Sequence, residues 1–168
     1  DKMIHTGNPL RRAILALFGK GYRAPEAGGP INLLILGGSQ GATILSEIVP
    51  AALAQLPEDL KSRLQVTQQC RVEDIERVRA LYQESGIDAS LAQFFPNVAE
   101  LLERCHLAIT RSGASTLSEL SVAGRPSLLV PYKFAMDDHQ RKNGEKAVAR
   151  GAARLVLQDD FTVEEATR

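Results

Sequence analysis

At 168 residues the chain is long enough for one well-packed domain and short for two. Hydrophobic residues make up 44% and charged residues 24%, and twenty basic side chains cancel twenty acidic ones, so a disordered chain and a basic nucleic-acid footprint are both excluded. The longest apolar run falls far below the roughly 18 residues of a membrane span, and Cys70 and Cys105 lack metal-type spacing; a soluble chain in a reducing cytoplasm is expected.

Residues 1–6 read as the end of something, with no signal peptide. Gly7-Asn8-Pro9 then breaks the chain, residues 10–18 form a short helix candidate, and residues 19–30, with four glycines and two prolines, read as a loop. The reading therefore makes 1–30 a linker with a short helix and 31–168 the domain proper. Strand candidates follow at 31–36, 64–70, 91–95, 107–110, 127–130 and 153–157. The first helix between them places Ile44, Leu45, Ile48, Val49, Ala52, Leu53 and Leu56 on one face, with a kink expected at Pro50. Others are expected over 72–85, over 98–105, over 116–123 closed by Gly124, and from about 138 to 150 ahead of Gly151. Strands separated by single helices pair in parallel through right-handed crossovers. The fold class is α/β, a doubly wound parallel sheet of about six strands, and its ligands belong at the carboxyl ends of the strands.

Three loops at that edge hold the candidate chemistry. Gly37-Gly38-Ser39-Gln40-Gly41-Ala42 joins an apolar strand to a helix, and its glycines let backbone N–H groups approach a phosphate. It matches neither GxGxxG nor a Walker A loop, and by itself it can be a tight connection only. Arg111-Ser112-Gly113-Ala114-Ser115-Thr116, followed by Leu117-Ser118-Glu119, sets hydroxyls beside a second helix start. Glu119 could accept both hydroxyls of a ribose, or Thr116-x-x-Glu119 could be a capping box; spacing leaves both open. Asp137-Asp138-His139-Gln140, with Asn143 one turn on, offers neutral groups suited to sugar hydroxyls, and Asp137 with Gln140 also fits a capping pattern. His106 reads as a strand-edge residue. No catalytic triad, paired carboxylates or metal-ligand cluster emerges.

These segments in this order resemble the C-terminal domain of the MurG family of peptidoglycan N-acetylglucosaminyltransferases. The resemblance starts at Thr6-Gly7-Asn8-Pro9-Leu10-Arg11, passes through the three loops, and includes Ser118-Glu119-Leu120 and Gly124-Arg125-Pro126. It implies the Rossmann-like C-terminal half of a GT-B glycosyltransferase, the half that binds the donor UDP-N-acetylglucosamine. By position it implies contacts from Arg11, Ser39, Gln40 and Gly41 to the nucleotide-sugar and its phosphates, and backbone at Phe95 facing the uracil. Arg111 and Ser112 are implied as further donor-binding residues, and Gly113 through Ser118 (Ala114, Ser115, Thr116 and Leu117 included) would cradle the pyrophosphate. Glu119 would hold the ribose, and Gln140 with His139 the sugar hydroxyls. The resemblance further implies transfer that inverts the anomeric centre without a metal or other cofactor, and the Asp-x-Asp motif that would hold a metal is lacking here.

The acceptor implied is lipid-linked muramoyl-pentapeptide, reached through an N-terminal half that also meets the cytoplasmic face of the bacterial inner membrane. That half is expected to be absent, leaving an excised donor-binding domain with no catalytic residue of its own. One departure is Gly144, where the family usually has alanine. A UDP-N-acetylglucosamine 2-epimerase-like domain shares the sheet and the ligand, and a nucleotide-binding module without chemistry is the alternative from another class. The TGNP and DDHQ segments favour the transferase.

Overall fold

The computed structural model describes residues 8–38 and 42–168. Six strands form one sheet, β1 (Ile31–Leu36), β2 (Leu64–Gln69), β3 (Asp88–Ala92), β4 (Leu107–Thr110), β5 (Ser127–Leu129) and β6 (Ala153–Leu155). Every pairing is parallel and the spatial order is β3-β2-β1-β4-β5-β6. The chain steps outward from β1 to β3, crosses back, and continues outward from β4. The topological switch point therefore lies between β1 and β4, as the doubly wound reading requires.

Parallel strands are buried on both faces, which is why β1 is almost continuously apolar. Its side chains alternate between two cores. Leu33 and Ile35 join Leu45, Val49, Val66 and Val78 beneath α2 (Thr43–Ala54), α4 (Ile75–Glu84) and α8 (Val163–Thr167). Leu34 points the other way, with Ile14, Leu17, Leu102, Leu120 and Leu129, beneath α1 (Arg12–Leu15), α5 (Val98–Arg104), α6 (Ala114–Ala123) and α7 (His139–Val148). In the first core the Tyr82 hydroxyl donates to Gln68 Oε1 at 2.6 Å, and burial raises the phenol well above its ordinary pKa.

Several expectations need correction. Helix α2 continues through Pro50, where a kink is expected, as a single helix from Thr43 to Ala54. Pro50 has no N–H for the Ser46 carbonyl four residues back, and Arg77 Nη1 donates to that oxygen instead, at 3.4 Å. Strand β3 lies three residues earlier than expected, because Phe94, Phe95 and Pro96 belong to the following loop while Ala89 and Leu91 supply the inward period-2 face. Helix α6 starts at Ala114, two residues earlier than expected, with Gly113 as its N-cap. Gly124 (φ 63°) ends it as foreseen; the Arg125 N–H returns to the Leu120 carbonyl at 3.2 Å, a closure that needs a left-handed residue between them. The short helices α3 (Glu58–Lys61) and α8 were not anticipated.

Candidate active site at the switch point

A cleft of about 660 Å³ opens at the carboxyl edge of the sheet. The three loops singled out in the sequence meet there: Gly37, Gly38 and Ala42 after β1, Arg111 and Gly113 through Thr116 after β4, and Tyr132 and Gln140 after β5. Arg71 and Gln158 complete it from β2 and β6. Ser39, Gln40 and Gly41 lie outside the described residues.

The floor is the start of α6. Its N-cap is a glycine, so no side chain takes the first N–H groups of the helix. Those donors, with the positive end of the helix dipole, face the cleft through Ala114, Ser115 and Thr116. Arg111 stands directly before them, 8% exposed. Its Nη1 donates to the Val130 and Pro131 carbonyls at 3.0 and 3.1 Å, and its guanidinium lies 5.4 Å from the centre of the Tyr132 ring. Burial lowers its pKa, yet a guanidinium stays charged at neutral pH. A fixed cation beside uncapped N–H groups is an arrangement for an anion.

Gln140 enters from the third loop. Its Oε1 accepts the Tyr132 N–H at 3.0 Å, so the side-chain NH₂ is the group it offers to a ligand. Ser112 is fully buried, and its hydroxyl donates to the Gln140 carbonyl at 2.8 Å, tying α7 to the loop between β4 and α6. The capping pattern expected of Asp137 and Gln140 does not form. Asp137 and Asp138 both take positive φ, 52° and 54°, and Asp138 caps α7 with no side-chain bond. Left-handed backbone at two consecutive non-glycine residues stores strain of the kind that gathers at functional loops. His139 is exposed and outside the cleft lining, its Nδ1–H donating to the Met136 carbonyl at 2.7 Å.

Glu119 decides the ambiguity left by its spacing. With α6 beginning at Ala114, Thr116 is the third helical residue and Glu119 the sixth, in the second turn, so no capping box exists. The carboxylate instead accepts from Arg11 Nη2 at 2.9 Å. Next to it Asn8 Nδ2 donates to Ser118 Oγ at 2.9 Å, and Ser118 donates to the Ala114 carbonyl at 2.8 Å. The segment before α1 is thereby fastened to α6 beside the cleft. Leu117 packs into the second core. Phe95 is not brought into the cleft; it lines a separate cavity of about 440 Å³ with Thr67, Ser90 and Asn97 on the open face of β2 and β3. Sequence reasoning passed over Arg71, Tyr132 and Gln158. Only Tyr132, inside the polar loop after β5, carried a signal.

A doubly wound sheet with a cleft at its switch point, lined by an uncapped helix start and a fixed arginine, defines a Rossmann-like α/β domain. Comparison with known proteins narrows the class. Residues 32–167 match the model of the glycosyltransferase family 28 C-terminal domain, and the chain belongs to that family. It is 56% identical over 163 residues to a protein of Paramagnetospirillum magneticum named UDP-N-acetylglucosamine--N-acetylmuramyl-(pentapeptide) pyrophosphoryl-undecaprenol N-acetylglucosamine transferase, covering 97% of this chain and 44% of that protein. A protein of the same name from Rhodospirillum centenum is 52% identical, with 97% and 43% covered. The crystal structure of Acinetobacter baumannii MurG superposes with a TM-score of 0.77 at 33% identity, covering 88% of this chain and 44% of that one. The chain thus spans less than half the length of the relatives it matches.

Proposed function

We propose that this chain is the donor-binding part of a glycosyltransferase that moves N-acetylglucosamine from UDP-N-acetylglucosamine to a lipid-linked muramoyl-pentapeptide in peptidoglycan synthesis. The observation that carries the reading is the convergence of Glu119 with Arg11, the uncapped start of α6 with Arg111, and Gln140 around one edge of the switch point. The names of the relatives supply the substrates.

The ribose hydroxyls donate to Glu119, whose carboxylate Arg11 keeps oriented. The pyrophosphate rests on the N–H groups of Ala114 to Thr116 beside Arg111, and the Gln140 NH₂ donates to a sugar hydroxyl. Phe95 and His139 lie outside the cleft lining, so the Phe95 backbone reaches the uracil only if the loop after β3 moves toward the cleft, and His139 approaches the sugar only if the turn before α7 rearranges. In the transfer an acceptor hydroxyl attacks C1 while the bond from C1 to the phosphate oxygen breaks. The configuration inverts, UDP leaves with the bonding pair, and the acceptor proton passes to a base. Charge grows on the leaving phosphate, so the cation and helix terminus fixed there lower the barrier without a metal. The acceptor site, the base and the membrane contact belong to the rest of the enzyme, on the cytoplasmic side. Among the described residues no helix is long and apolar enough to cross a membrane.

Thermal unfolding with added nucleotides tests the reading. UDP and UDP-N-acetylglucosamine at about 100 times Kd should stabilise the chain by roughly 2.7 kcal/mol, while ADP and NAD should leave it unchanged. Equal shifts with ADP and UDP would remove the uridine assignment.

A further inference from the structure

We propose that Arg71 is an additional cationic ligand for the phosphate groups, one that turns from Glu73 to the pyrophosphate when the donor enters; this rests on the donor-binding reading above. Arg71 stands just after β2, at the carboxyl edge of the sheet, and lines the same cleft as Arg111 and the start of α6. From the opposite side of the β1 turn it faces the first residue of α2. Its Nη1 lies 3.4 Å from Thr43 Oγ1, and its Nη2 pairs with Glu73 at 2.7 Å.

The backbone at this position is held firmly while the guanidinium is not. The Cys70 N–H donates to the Ala92 carbonyl at 3.0 Å and the Asp74 N–H to the Arg71 carbonyl at 2.9 Å. Asp74, nearly buried, is clamped in turn by Arg77 Nη2 at 2.7 Å. The Arg71–Glu73 pair, by contrast, has side chains 48% and 60% exposed, the weak kind of ion pair that a better anion displaces. A pyrophosphate offers the fork geometry and charge that a guanidinium matches best. With Arg111 fixed by two carbonyls on the β4 side, Arg71 would close on the same anion from the β2 side.

Calorimetric titration of wild type, Arg71→Ala, Arg71→Lys and Glu73→Gln with UDP and with uridine tests this. Arg71→Ala should weaken UDP binding about tenfold and leave uridine binding unchanged. Arg71→Lys should fall between, and Glu73→Gln should bind UDP more tightly than wild type because the competing carboxylate is gone. Unliganded melting temperatures serve as the control for folding. Equal UDP affinity in wild type and Arg71→Ala overturns the inference and spares the reading beneath it. Equal losses for UDP and uridine overturn it too, since they mark a distorted cleft. No UDP binding by wild type overturns both.

Discussion

At the scale of single residues, Glu119 shows how spacing alone can suggest a local motif that the fold does not form. Thr116-x-x-Glu119 has capping-box spacing, but the glycine at position 113 starts the helix early and carries the carboxylate into the second turn, within 2.9 Å of Arg11. If this carboxylate receives the ribose, Glu119→Ala should bind UDP more weakly and no longer distinguish UDP from 2′-deoxy-UDP by calorimetry. Folding stability should fall by no more than about 1 kcal/mol, as befits a solvent-screened ion pair with Arg11 half exposed. A variant that still prefers UDP returns Glu119 to a structural role. Glycine turns beside apolar strands were legible because backbone needs are local. The Ser112 bond to the Gln140 carbonyl and the placement of Arg71 were not, since each joins segments that only the folded sheet brings together.

Among the elements, the central strands were readable and the margins were not. β1 and β4 announce themselves as apolar runs because both faces are buried, whereas edge strand β3 has polar outward positions, Asp88 and Ser90, and its apolar signal was confounded with Phe94 and Phe95 of the next loop. Where β1 and β4 begin side by side, His106 forms a two-way clasp with Asn32. Its N–H donates to the Asn32 carbonyl at 2.9 Å, and its ring Nδ1 accepts the Asn32 N–H at 2.9 Å. That second bond requires an unprotonated Nδ1. Desolvation, and then the positive charge of Arg125, hold the imidazole below its ordinary value of 6.5. The unfolded chain therefore binds more protons as pH falls through 6.5, so the clasp contributes its full stability above that pH and loses it below. Denaturant titrations should show stability declining from about pH 6.5 toward pH 5, with a shallower slope in His106→Gln, which keeps an acceptor and cannot titrate. Matching slopes would show that the clasp is indifferent to protonation.

On the scale of the whole molecule, the order β3-β2-β1-β4-β5-β6 opens one crevice between diverging crossovers, and the anion-binding groups gather there. What gathers can bind and orient, but glycosyl transfer by inversion also needs a base beside the incoming hydroxyl. The described cleft lining contains arginine, glutamine, tyrosine and hydroxyl side chains and backbone amides, with no carboxylate or imidazole among them. Glu119 is engaged by Arg11, and His139, the imidazole nearest in sequence, donates from Nδ1 to the Met136 carbonyl outside the cleft. The chain covers 44% of its Paramagnetospirillum relative, so more than half of a protein of that length is available to supply the base and the acceptor site. This chain alone should therefore bind UDP-N-acetylglucosamine yet transfer no sugar to a lipid-linked muramoyl-pentapeptide. A radiolabelled transfer assay, run beside His139→Ala, checks it. Adding the remaining segment of such a relative as a separate polypeptide should restore turnover, because donor and acceptor sites need only face each other across a cleft. Acceptor-dependent turnover by the chain alone, lost in His139→Ala, would place the base at the first residue of α7. The left-handed turn at Asp137 and Asp138 would then be the device that swings it toward the donor.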